Sequence, residues 1–393
     1  MRKILYILLL LCIPLFGGAQ EQYVDTVFHD NIDRTANDFV IASLLISEPA
    51  KGLFSCMGHT ALRMQCPTFG LDVVYHYCML MPNTSLTETE AYLLGQFSVG
   101  MLADSFATYI SNGEVIHRGI TAYPLYLPAT TKQKLWQLLD EEVIRGGYMH
   151  YDFFQEGCAI KTVHIMNKAV APLLIDYSAC LPITEYPKYE IIYNAMSHFP
   201  WQRFATLTAI HGTCQQTEYG NYLYMPKDLA AAWQDATLDG SPLSAAGRKI
   251  TTHYYYKADT WMTPMRLAFI LLVISIIGFF IKNNKIDYVV LIWLLPLSLF
   301  LINCLILRLG KVEWNWLIIP FNPFPILCWH WRRYWALPYA IVMLIWSAIM
   351  LFLPHMLGDP THIILALALA ITLLKQSPYI QNHWFVKSST PIQ

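Results

Sequence analysis

Beyond Pro264 charge almost disappears from this chain, and that change constrains the fold more than any other feature. Uncharged runs extend between Arg266 and Lys282, Asp287 and Arg308, Glu313 and Arg332, Arg333 and Asp359, and Asp359 and Lys375. Each approaches the roughly 20 apolar residues that carry a helix across about 30 Å of hydrocarbon, the first and last being short. Trp261, Trp314, Trp316, Tyr334 and Trp335 sit at run ends, where aromatic belts form at membrane interfaces. Residues 261–378 are therefore expected to form an all-α multi-pass membrane domain of about five transmembrane helices, with 379–393 as a C-terminal tail. In the third run Pro320, Pro323 and Pro325 interrupt any regular helix, so this run is expected either to span with a kink or to re-enter.

The N-terminus supplies the compartment. Arg2 and Lys3 precede an apolar stretch from Ile4 to Phe16 that ends in Gly17, Gly18, Ala19 and Gln20. This is the pattern of a secretory signal peptide over residues 1–20, with an uncleaved anchor as the alternative. Residues 21–260 have ordinary soluble character and form the expected exported domain. With that domain outside, alternate connections carrying Lys282 and Lys285, Arg332 and Arg333, and Lys375 and Lys387 fall in the cytoplasm, as the positive-inside rule requires. A multi-pass membrane protein with residues 21–260 on the outer side of the membrane is the expected arrangement. The formal net charge of −1 and the lack of a basic stripe give no nucleic-acid footprint. Six cysteines lie in the exported part, and Cys180 with Cys214 is a plausible disulfide in an oxidising compartment. No cysteine or histidine spacing resembles a metal site, and no cofactor is expected.

Within the exported domain, residues 58–65 read as a strand, 67–70 as a turn and 71–80 as a second strand. A hairpin centred on that turn places His59 opposite or diagonal to His76, with Cβ atoms about 5 Å or about 7–8 Å apart. Residues 86–110 and 130–144 carry helical spacing. Cys158 then opens a further helix, with Ala159, Ile160, Val163, Met166, Ala169 and Val170 at helical intervals. A thiol at a helix N-terminus is favoured as thiolate by the dipole and the unbonded backbone amides. His59 as base, His76 as its orienter and Cys158 as nucleophile match the logic of an activated thiol. The bland readings are a buried structural cysteine and a packing histidine. Cys56 is the rival nucleophile, and Arg63 is a possible phosphate contact.

The segments SCMGHTALRM, DVVYHYC, QFSVGML, HRGITAYPLYL and YDFFQEGC together resemble the exported domain of the Lnb family over residues 54–166. WNWLIIPFNPFPIL resembles that family's membrane region more loosely. These are bacterial lipoprotein N-acyltransferases. The resemblance implies an α+β, circularly permuted papain-like fold related to lecithin:retinol acyltransferase-like thiol enzymes. It implies Cys158 as nucleophile, His59 as general base and His76 as the third polar residue, where asparagine is expected in many relatives. Gly157 likewise stands where asparagine usually precedes the cysteine. The implied partners are a phospholipid acyl donor, a diacylated lipoprotein acceptor and the membrane itself. A membrane-anchored cysteine amidase or peptidase acting on cell-wall peptides, and a non-enzymatic envelope scaffold, are the alternatives.

Overall fold

Alternation of apolar and polar residues builds an antiparallel sheet first. The computed structural model describes residues 40–50, 55–80, 98–115, 118–146, 149–150, 157–179, 188–210, 225–251, 261–281, 285–307, 315–352 and 358–382. The expected signal peptide and the Cys180–Cys214 pair lie outside the described residues. The chain is mixed α+β and divides into two compact units. Among the described residues, 40–179 and 225–251 form a sheet unit, while 188–210 and 261–382 form a helical unit.

The sheet unit contains strands β1 (Ile41–Ser47), β2 (His59–Cys66), β3 (Leu71–Leu80), β4 (Ser98–Ser105), β5 (Ile120–Pro124), β6 (Met149–His150), β7 (Ile175–Asp176), β8 (Thr237–Leu238), β9 (Ser241–Pro242) and β10 (Arg248–Thr251). Seven of these pair in the order β10-β5-β1-β2-β3-β4-β6, and β7-β8-β9 form a small second sheet. The expected hairpin is present: a single 3-10 turn at Pro67–Phe69 ends on Gly70, whose φ of 64° suits a residue without Cβ. Residues 98–105, expected to be helical, are instead strand β4, paired with β3 from Val73↔Ser105 to Leu80↔Ser98. The helix α1 (Phe106–Val115) begins only after it. Tertiary pairing overrides the local pattern here: β3 offers an open edge, and Val99, Met101 and Ala103 alternate into the core as strand residues do.

The two faces of the sheet are covered differently. On one, Leu44, Leu62, Met64, Val73 and Tyr75 share a core with Leu135 and Leu139 of α2 (Ala129–Arg145), Ile165 and Met166 of α3 (Cys158–Val170), and Leu229 and Trp233. Each fully buried leucine among them contributes about 1.5–3 kcal/mol. The opposite face, with Leu45, Ala61, Val74, Ile120 and Ala122, is covered by Tyr109 and Phe106 of α1.

In the helical unit, α4 (Lys188–Ala195) and α5 (Pro200–Ile210) accompany α7 (Pro264–Phe280), α8 (Lys285–Leu307), α9 (Arg332–Phe352) and α10 (Thr361–Lys375); α6 (Pro226–Asp235) belongs to the sheet unit. Among the described residues, two stretches are long and apolar enough to cross a membrane, Lys285–Cys304 with 20 residues and Trp329–Phe352 with 24. Helices α7 and α10 have 17 and 15 residues.

Polar clusters mark the two ends of this unit. At one, Lys375 Nζ donates to Asp287 Oδ1 (3.0 Å), Gln376 Nε2 to Asp287 Oδ2 (2.6 Å), and Arg332 Nε to Gln376 Oε1 (2.8 Å). At the other, Arg203 Nε donates to Asp359 Oδ2 (3.0 Å), Asn315 Nδ2 donates to the Thr208 carbonyl (2.7 Å), and Phe204 stacks on His362. The third apolar run starts at this second end with Asn315. It finishes at the first, where Trp329 Nε1 donates to Tyr288 Oη (3.2 Å) beside the start of α8. It therefore runs between the two ends in short turns at Trp316–Ile318, Phe324–Leu327 and Trp329–Trp331, with no regular helix through its prolines. Three prolines remove backbone donors, and Asn322 takes up freed groups. Its Nδ2 donates to the carbonyls of Ile318 (3.1 Å) and Ile319 (3.0 Å), and its Oδ1 accepts from Phe324 N (2.9 Å).

The Asp287–Lys375 pair is buried to 3 % side-chain exposure on each partner. Lys375→Met strands a buried carboxylate, so the full chain in detergent should lose about 3–5 kcal/mol of stability, whereas Asp287→Leu with Lys375→Met should recover most of it. Thermal unfolding midpoints of the two variants check this.

Candidate active site

Gly58 sets the entry to β2. Its φ of +83° lies in the left-handed region, and a Cβ there would stand 2.7 Å from the Ser47 carbonyl oxygen. Only glycine lets the chain turn so close to β1 and present His59 as the first strand residue. Ser47 pairs with His59 on one side and with Ile120 on the other, so three strand ends meet at this point.

Across the hairpin, Ala61 is the direct partner of His76, which makes His59 and His76 diagonal neighbours on one face. Their rings meet edge to face, with centroids 5.5 Å apart and an interplanar angle of 88°. His76 Nε2 lies 2.9 Å from Asp104 Oδ2, and a carboxylate only accepts, so this nitrogen carries the proton. Asp104 comes from β4, one diagonal further along the sheet, because its direct partner is Val74. It is 3 % exposed, and its Oδ1 has no hydrogen-bond partner among the described residues.

Helix α1 closes the cluster from above. The Tyr109 ring lies 5.3 Å from the His76 ring, and its hydroxyl is 2.9 Å from Ser47 Oγ. Burial pushes the Tyr109 phenol up to about 12, against the Ser47 hydrogen bond and the Arg118 charge, so it stays protonated at physiological pH. Cys158 and Asp104 add smaller upward contributions to the same hydroxyl. Cys158 heads α3, which packs beside β2 in the core of the sheet face opposite Tyr109, so the thiol and the histidines are held by different faces of the sheet. Gly157 before it is extended (φ −70°, ψ 163°), with no side chain capping the helix start. The amides of the first turn are left without intrahelical partners. Cys158 itself is partly exposed.

Electrostatics separate the two thiol candidates and define the base. Cys56 is fully buried, and burial pushes its thiol up to about 12, which keeps it protonated and unsuited to attack. His59 retains some accessible surface, yet burial first, then His76 and Arg118, holds its imidazole well below the ordinary histidine value. It is neutral at neutral pH, the state a general base needs. Arg63 is committed elsewhere: it forms a two-pronged bond to Asp72 (2.7 and 2.5 Å) and lies over the Phe106 ring, which corrects its reading as a phosphate contact. Among the described residues, no group of three or more His, Cys, Asp or Glu side chains is arranged to hold a metal.

Asp104, Tyr109, Ser47 and Arg118 were not evident from sequence. Asp104 was hidden because its segment read as a helix; read as a strand, the alternation of Val99, Met101 and Ala103 turns Asp104 to the face shared with His76.

The depressed His59 pKa has a consequence for stability. Below the ordinary value of 6.5 the unfolded chain takes up a proton that folded His59 refuses, so this residue's contribution to stability falls as pH falls through that value. The unfolding midpoint of the wild-type chain should therefore drop more between neutral pH and mildly acidic pH than that of His59→Gln, as thermal melts at both pH values will show.

The family model of the Lnb N-terminal periplasmic domain matches residues 30–186. No curated protein and no solved structure matches the chain. The matched stretch carries Ser47, His59, His76, Asp104, Tyr109, Arg118 and Cys158, and among the described residues it is followed by two helices long and apolar enough to cross a membrane. Residues 30–186 are thus similar to the N-terminal periplasmic domain of the Lnb family.

Proposed function

We propose that this chain is a lipoprotein N-acyltransferase of the bacterial inner membrane, working through an acyl-thioester on Cys158. The observation that carries the reading is the cluster of His59, His76 and Tyr109 on the sheet, with Cys158 at the uncapped start of a helix that packs beside the His59 strand. The order of base strand, third-residue strand and then nucleophile helix is that of a circularly permuted papain-like domain.

In the first half-reaction neutral His59 takes the Cys158 proton as Sγ attacks the ester carbonyl of a phospholipid. The C–S bond forms, the C–O bond breaks, and the proton passes from His59 to the departing lysophospholipid oxygen. The backbone N–H of Cys158, at the uncapped helix start, supports the tetrahedral oxyanion, a contact worth about 3–4 kcal/mol in other acyl-transfer sites. In the second half-reaction the α-amine of a diacylglyceryl-cysteine attacks the thioester. The C–N bond forms, the C–S bond breaks, and His59 carries the amine proton back to sulfur. Exchange of an ester for an amide supplies the driving force, without a nucleotide.

The membrane unit favours transfer over hydrolysis in this reading. Donor and acceptor are both confined to the bilayer surface, which raises their effective concentration at a tethered site. The end of the helical unit bearing Arg332, Arg333 and Lys375 faces the cytoplasm in this proposal, in keeping with the positive-inside rule. The irregular third run then counts as a crossing and preserves the parity.

Mass spectrometry of lipoprotein N-terminal peptides tests the function. A strain lacking this chain should lose the N-linked acyl group, and the wild-type gene but not Cys158→Ser should restore it. Altered muropeptides with intact lipoproteins would favour an amidase. Full restoration by Cys158→Ser would favour a scaffold.

A further inference from the structure

The third residue of the cluster is itself a titratable ring with two nitrogens, and something must decide which nitrogen carries a proton and how the ring is turned. Asp104 is built to do so. Its carboxylate reaches His76 Nε2 at 2.9 Å from the neighbouring strand, with both side chains largely buried, at 12 % exposure for His76 and 5 % for Asp104. The strand register keeps the two together: Val74, two residues before His76 on the same face, is the direct partner of Asp104. The ring so held contacts His59 at 5.5 Å and Tyr109 at 5.3 Å between centroids. Nothing else among the described polar contacts of His76 fixes its rotation.

We propose that Asp104 is a positioning residue: its carboxylate holds His76 as the Nε2–H form and locks the ring that sets the orientation of His59 toward Cys158. This rests on the thiol–histidine reading above. An asparagine at position 76 would need no such partner, since an amide has no alternative tautomer; a histidine does. The charged and titratable groups against the ring are His59 from β2, Asp104 from β4 and Tyr109 from α1, while Arg118 before β5 acts on His59 and Tyr109 and Cys158 from α3 acts on Tyr109. Of these, only Asp104 makes a hydrogen bond to His76 among the described contacts.

The test uses the full chain in detergent and measures the rate at which iodoacetamide alkylates Cys158, read by peptide mass mapping at neutral pH. Asp104→Asn, which keeps size and shape, should slow alkylation by about tenfold or more, as loss of an orienting carboxylate does in other histidine-dependent sites. Asp104→Glu should recover most of the rate. In a His76→Asn background, Asp104→Asn should add no further loss, because the tautomer it controls is gone. Unchanged alkylation in Asp104→Asn, no recovery with Glu, or an equal loss in the His76→Asn background would each overturn the proposal. Equal rates in wild type and His59→Ala would overturn the thiol–histidine reading itself, and the proposal with it. A rate that depends on His59 but not on Asp104 overturns the proposal alone.

Discussion

Register between β2 and β3 is the constraint on which the sheet unit's site depends. Side chains alternate with a period of two, so a slip of one residue would turn His59 and His76 to opposite faces. The hairpin is pinned by the Gly70 turn at its tip and by Arg63 gripping Asp72 with two hydrogen bonds on the same face as the histidines. The pair is partly solvent-exposed, so its part is geometric more than energetic. Buried Val74, Ala61 and Leu45 beneath α1 supply the apolar cost of any slip. With the register held, β4 brings Asp104 to His76 and β1 brings Ser47 to Tyr109, so one lateral alignment assembles residues from four strands and a helix.

The helical unit meets a different constraint. A proline-rich passage between its ends satisfies its backbone partly through short turns, and side chains add to this: Asn322 donates to two carbonyls and Asn315 accepts from Leu317 N. Among the described residues of this unit, buried charge lies at the ends and is paired there, by Lys375 with Asp287 at one and Arg203 with Asp359 at the other. Polar residues in or near the apolar runs are thus bound within the structure: Asn322 to carbonyls, Asn315 to Thr208 and His362 to Thr208 and Asp359.

Much of this architecture was legible in the sequence because it rests on local signals. The Pro67–Gly70 turn, the strands around it and the Cys158 helix follow from turn chemistry and periodicity, and the diagonal placement of His59 and His76 follows from the turn's position. Strand β4 was not legible, because residues such as Ser98, Gly100 and Ala103 have weak strand preference and become a strand only against the β3 edge. Asp104 was lost with it. The fifth passage of the apolar unit was visible as hydropathy, but its irregular path depends on Asn322 reaching carbonyls three and four residues back, which no periodicity reports.

The central claim is that Cys158 carries an acyl group taken from phospholipid. Incubating the purified chain with phospholipid vesicles and weighing its proteolytic peptides tests that claim most directly. The account predicts an acyl mass on the Cys158 peptide, labile to hydroxylamine, missing from His59→Ala and never found on Cys56. An unmodified Cys158 in protein that matures lipoproteins normally, or an acyl group on another residue, would contradict it.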